Sequence, residues 1–239
     1  MTRHLKKIVV VLMALALIVL AASFIYAKFI NKADDEFDSS DVKDRLTTTT
    51  LASQTTGSGG TTGDPGSVDG AWGIADGSEV GYRIDESING FDKTTNGRTA
   101  EVTGQFTIAG TQVTAGEFTV DMTTFSSDES RRDGQFNGRI MQVSTFPTST
   151  FVLTKPIEFD AIPADGATIT ATATGDLMLH GVTKSVTFLV DATFESGRVG
   201  VLGQIPIVFA DYDIANPSTG TITTEDHGLL EFVLIFDRA

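Results

Sequence analysis

Over most of its length the chain alternates apolar or small residues with polar ones at every second position, the period of a strand with one face buried. In the stretch from Thr168 to Leu179, Ile169, Ala171, Ala173, Gly175, Leu177 and Leu179 form one set. Thr168, Thr170, Thr172, Thr174 and Asp176 form the other. A helix would mix the two sets on every face. The same pattern sets Val186, Phe188, Val190, Ala192 and Phe194 against Thr187, Asp191 and Thr193, and Phe118, Val120 and Met122 against Glu117, Thr119 and Asp121. Further strands are expected over Glu79 to Ile84, Glu101 to Ile108, Thr150 to Leu153, Val199 to Phe209 and Leu229 to Phe236, separated by Gly, Asn, Pro and Asp. About eight strands in one unit predict an all-β antiparallel barrel or sandwich. Only Ser126 to Val143 departs from the alternation, and a short helical segment is expected there.

Two amino-terminal segments differ in kind. Arg3, Lys6 and Lys7 precede an uncharged apolar run from Ile8 to Ala27, whose roughly 20 residues at about 1.5 Å each span a hydrocarbon layer as a helix. Residues 1–30 are therefore expected to be a single-pass membrane anchor with the rest of the chain outside the cytoplasm. The alternative is a cleaved signal that leaves a secreted protein beginning near Lys28. Residues 31–67 carry Asp34, Asp35, Glu36 and Asp38, a threonine run and the stretch GSGGTTGDPGS, a composition expected of a disordered linker. Residues 68–239 then form the folded domain.

Charge narrows the partners. Acidic residues outnumber basic ones 31 to 17, for a net charge of -14, and the imbalance lies wholly after Val68. Such a surface repels phosphate backbones, so nucleic acid is excluded as a partner. The absence of cysteine removes disulfides, thiolate metal sites and thiol nucleophiles.

Candidate chemistry is sparse. His180 stands before Gly181 at a strand-to-turn junction, and its economical role is structural, although Ser185 or Thr183 beside it admits a hydrolase reading. Glu225, Asp226 and His227 are potential metal ligands, but on an extended chain neighbours point to opposite sides. Asp211 and Asp213 lack the other elements of a calcium loop. Arg131 and Arg132 suit a phosphate or carboxylate, or equally a surface ion-paired turn. No cofactor is expected. Thirteen of the 16 phenylalanines follow Val68, and a barrel of about eight strands is either filled by such side chains or left wide enough for a small ligand. The sequence leaves both outcomes open.

Three stretches taken together, VDMTTFSSDESRRDGQF, STFPTSTFVL and GDLMLHGVTKSVTFLV, resemble the YceI-like polyisoprenoid-binding proteins, with Trp72 and GSEVGYRID similar to that family's opening strand. The resemblance runs from Trp72 to Arg238. Its matching positions are Arg132-Asp133, Phe146-Pro147, Thr150-Phe151 and the turn Leu179 to Lys184. It implies a lipocalin-like barrel holding an isoprenoid-like lipid in an apolar tunnel, and makes His180-Gly181 a recurrent turn with no catalysis attached. The tunnel-facing candidates by alternation are Phe106, Phe118, Val120, Met122, Phe151 and Leu153, followed by Leu177, Leu179, Phe188, Val190, Phe232 and Leu234. Arg131 and Arg132 are placed at the mouth. The expected function is a membrane-tethered binding protein, without enzymatic activity and possible as a homodimer. The alternative is a packed, ligand-free barrel that serves as a cell-envelope interaction module.

Overall fold

The computed structural model describes residues 33–53 and 68–239, together with Met13, Leu17 and Ile18. The anchor expected over residues 1–30 lies otherwise outside the described residues. Among those described, no helix is long and apolar enough to cross a membrane.

Twelve strands form one sheet: β1 (Gly70–Ile74), β2 (Glu79–Ile88), β3 (Phe91–Thr99), β4 (Val102–Ala109), β5 (Gln112–Asp121), β6 (Thr148–Lys155), β7 (Ile157–Glu158), β8 (Thr168–Leu179), β9 (Val182–Glu195), β10 (Arg198–Val208), β11 (Ile222–Thr224) and β12 (His227–Arg238). All pairings are antiparallel. Because β1 bonds to β4 on one side and to β12 on the other, the sheet closes on itself. β1 and β2 run end to end along β12, with Ile74 opposite Phe236 and Glu79 opposite Val233. β3 and β4 run end to end on their other side, with Thr99 opposite Val80 and Gln105 opposite Gly73. Each broken pair fills one barrel position, so the twelve strands make a closed barrel of eight positions. Closure leaves no exposed edge along its main course.

The eight sequence-expected strands all form. The expected helical segment is α2 (Ser130–Gln135), capped by the Glu129 carboxylate on the Arg131 N–H and continued by a π-helical turn over Phe136–Ile140. One end of the barrel, which we term the upper end, carries this segment, the β2–β3 hairpin and the His180-Gly181 turn. The lower end carries the β4–β5 and β9–β10 turns.

Two differences from the sequence reading have clear physical causes. β3 was missed because FDKTTNGRT has no apolar alternation. It is held instead by nine register pairs to β2 across an Asn89-Gly90 turn whose φ values of 52° and 83° are those of a tight hairpin. Met122, expected at the end of a strand, sits in a 3₁₀ turn over Met122–Thr124, where the Asp121 carboxylate accepts the Thr123 N–H at 2.8 Å.

The larger correction concerns the linker. Residues 33–47 are not disordered but form a strap on the outside of the barrel. Asp38 starts helix α1 (Ser39–Ser53) by accepting the Ser40 N–H at 2.7 Å, while the Asp41 carboxylate accepts the Asp38 N–H at 2.8 Å. Phe37, Val42 and Leu46 are buried in a separate apolar cluster against Val233 and Ile235 of β12, which are fully buried. β12 therefore reads as an almost unbroken apolar run because both of its faces are covered. The strap also encloses Glu231, likewise fully buried. Its carboxylate pairs with Arg98 at 3.0 Å and Arg83 at 3.5 Å and accepts the Phe37 N–H at 3.3 Å. The Arg98 guanidinium lies 3.8 Å from the centre of the Phe37 ring.

Candidate functional site

The inward side chains do not fill the barrel. Two cavities remain, of about 190 Å³ toward the lower end and about 150 Å³ toward the upper end, and Val80, Val120, Ser149 and Leu230 border both. These four shared residues mark the level, here termed the neck, at which one chamber gives way to the other. Each chamber is many times the roughly 10–15 Å³ that admits a single water.

The lower chamber is almost wholly hydrocarbon. Ser149, Thr150 and Thr193 are its only hydroxyl-bearing lining residues. The Ser149 hydroxyl donates to the Met178 carbonyl at 2.7 Å, and the Thr193 hydroxyl pairs with that of Thr168 at 2.8 Å. Both hydroxyls are thus paired within the barrel wall. Aromatic rings shape the walls. Phe106 meets Phe236 edge-on at 4.6 Å, and Phe151 and Phe188 meet at 5.5 Å. Room for two of these rings comes from glycines: a Cβ on Gly175 would lie 2.3 Å from Phe151, and one on Gly203 2.3 Å from Phe232.

The upper chamber combines an aromatic wall with a polar rim. Tyr82 stacks on Phe136 at 4.7 Å and also touches Phe125. Burial drives the Tyr82 phenol far above its ordinary range, so it serves as a neutral hydroxyl. Glu86 and Arg132 line the same chamber, and Glu86 faces Lys93 across the β2–β3 pair. Burial raises the Glu86 carboxyl above its usual pKa, against the opposing pull of Arg132 and Lys93. Burial, reinforced by Arg132, lowers the Lys93 ammonium. Arg132 is itself ion-paired to Asp128, and Asp133 accepts the Ser127 N–H at 2.9 Å and its hydroxyl at 2.6 Å. The rim is thus a closely balanced set of charges over an apolar floor.

All twelve apolar candidates line the interior. Phe106, Phe118, Phe151, Leu153, Leu177 and Phe188 border the lower chamber, as do Val190, Phe232 and Leu234. Met122 and Leu179 border the upper one, and Val120 sits at the neck. Arg132 reaches the upper chamber. Arg131, on the same segment at the upper end, is exposed and lines neither chamber. Alternation missed the lining drawn from outside regular strands, namely Phe125, Phe136, Ile140, Met141 and Ile214, because residues in turns have no period to read. It also missed Val80 and Tyr82 on β2, although the Val80, Tyr82, Ile84 spacing was available.

His180 is buried, although in the alternation it continues the set that runs from Thr168 to Asp176. With φ at 51°, followed by Gly181 at 78°, it forms the two-residue turn between β8 and β9. Its Nδ1–H donates to the Tyr212 carbonyl at 3.1 Å and its ring packs 4.5 Å from that of Phe146. A Cβ on Gly181 would come within 2.5 Å of Phe146. Ser185 and Thr183 are exposed, so no nucleophile and base are assembled here. The ligating atoms of Glu225, Asp226 and His227 lie within 4.8 Å of one another, closer than an extended chain would bring them. All three are exposed, and the Asp226 carboxylate is occupied by His227 Nδ1 at 2.9 Å, an interaction that raises the His227 pKa. Among the described residues, Asp211 and Asp213 belong to no group of three or more potential ligands.

The barrel is similar to that of a polyisoprenoid binding domain from Saccharophagus degradans, described as implicated in plant cell wall breakdown. That structure has a TM-score of 0.57 and 18% identity, over 72% of this chain and 99% of that one. BcnA of Burkholderia cenocepacia is also similar, at a TM-score of 0.51 and 21% identity over 66% of this chain and 95% of that one. These likenesses establish the fold. No curated protein sequence matches the chain. The model of the YceI-like domain matches residues 74–236, a span that takes in every barrel strand from the end of β1 to β12, and on that match the chain belongs to the YceI-like family.

Proposed function

We propose that this protein binds and carries a long, chain-like isoprenoid lipid, and that it does so outside the cytoplasm, tethered by the apolar run from Ile8 to Ala27. The observation that carries the reading is the pair of largely apolar chambers stacked along the barrel, which share Val80, Val120, Ser149 and Leu230 as lining. Burying each methylene contributes about 0.8 kcal/mol, so a long hydrocarbon gains affinity along its length without polar contacts. The polar rim of the upper chamber then suits the one polar end of such a molecule. The Saccharophagus degradans domain, a polyisoprenoid-binding protein of the same fold, supports this choice of ligand. The two chambers favour this reading over the interaction-module alternative, which called for a filled barrel.

Native mass spectrometry of the full chain, purified gently from its own membranes, tests the reading. The expected spectrum shows the protein with an added apolar mass, lost on delipidation and restored by a polyprenol. Bare protein that also takes up no added polyprenol would overturn it.

A further inference from the structure

We infer that the upper end of the barrel faces the lipid bilayer, with the β2–β3 hairpin tip as its contact and the upper chamber opening toward the membrane. The inference rests on the proposed anchor at Ile8 to Ala27, and the strap converts that anchor into an orientation.

The direction of the strap is fixed by polar contacts along its length. At its far end Arg45 donates to the Gly77 carbonyl at 2.8 Å and pairs with Glu79 at 2.7 Å, beside the start of β2. At its near end the Asp34 N–H donates to the Asn96 side chain at 3.1 Å, and Arg83 donates to the Asp34 carbonyl at 2.8 Å. Followed backward from Arg45 to Asp34, the strap climbs along β2 toward the Asn89-Gly90 turn. The chain before Asp34 therefore leaves the barrel at its upper half. The few residues between Ala27 and Asp34 reach at most roughly 25 Å when fully extended. From Arg83, which holds Asp34, the hairpin turn at Asn89 is six residues away along β2, roughly 20 Å, whereas the lower end at Arg238 is nine residues along β12 from Leu229, the partner of Arg83, roughly 30 Å and beyond that reach.

The surface at the upper end fits a lipid contact. Phe91, at the hairpin tip opposite Ile88, is 55% exposed, and an aromatic ring at a protruding tip suits the membrane interface. Ile162, an exposed apolar residue, lies in the loop at the opposite, lower end. In this orientation an isoprenoid would pass between the bilayer and the upper chamber without its chain crossing water.

The absence of native cysteine makes the test direct. Asp92→Cys beside the hairpin tip and Thr111→Cys in the lower β4–β5 turn are each labelled with an environment-sensitive fluorophore on the full chain. The labelled chains are then reconstituted into phosphatidylcholine vesicles containing a headgroup nitroxide lipid. The label at 92 is expected to be quenched and the label at 111 to keep its emission. Phe37→Ser, which loosens the strap without touching either label, should bring the two closer together. A chain that fails to float with the vesicles removes the anchor and the inference with it. A chain that floats but is quenched equally at both positions, or more at 111, leaves the anchor standing and overturns the orientation.

Discussion

Glu231 is the residue on which strap and barrel meet. Its carboxylate is removed from water and satisfied by two arginines and one backbone N–H. Removing its charge leaves Arg83 and Arg98 without a buried counter-ion, a loss of roughly 3–5 kcal/mol. Glu231→Gln keeps the size of the side chain, so its expected effect is a lower urea midpoint with an unchanged dependence on denaturant. An unaltered midpoint would show that the arginines find other partners. The sequence displayed Glu231 only as one acidic residue within an apolar run. Its partners lie 133 and 148 residues away, a separation no local pattern reports. His180 shows the same limit in milder form. Its place in a turn was legible from the glycine beside it, whereas its burial depends on Phe146 and Tyr212, brought in from elsewhere in the chain.

At the scale of elements, the strands were the legible part, because a sheet with one face inward writes a period of two into the chain wherever that face is buried. β8 and β9 display it throughout. β3 does not, and only the Asn89-Gly90 turn marks it. The strap was hidden for a related reason: among its described side chains, α1 shows Val42 and Leu46 as a single buried apolar pair, among threonines and acids, which is too short a stripe to stand out. It docks because β10 offers Gly200 beneath it, where a Cβ would lie 2.5 Å from Val42 and 3.1 Å from Leu46. Gly200→Val is expected to lift α1 off the barrel without opening it, at a cost of roughly 2–4 kcal/mol, the lost burial of Phe37, Val42 and Leu46 being partly offset by the chain entropy regained. Limited proteolysis would then cut within residues 39–53 while the barrel stays intact. Protection equal to that of the parent protein would contradict the docking.

At the scale of the whole molecule, function follows from what the barrel leaves empty. Gly116 borders the lower chamber, and a Cβ there would meet nothing closer than 3.5 Å, so a side chain can be added without collision at its root. Gly116→Phe is expected to occupy the chamber, abolish polyprenol uptake in native mass spectra and leave thermal unfolding unchanged or shifted upward. Retained uptake would place the ligand elsewhere. By itself the sequence determined the all-β class, the eight main strands, the family resemblance and which side chains turn inward, because each is written in local periodicity, turn residues or linear motifs. Tertiary structure alone decided that the interior is hollow, that part of the acidic amino-terminal segment is a strap, and that Arg132 and not Arg131 reaches the chamber. Those outcomes depend on distances across a closed sheet, where volumes and partners from remote parts of the chain meet and local pattern carries no information.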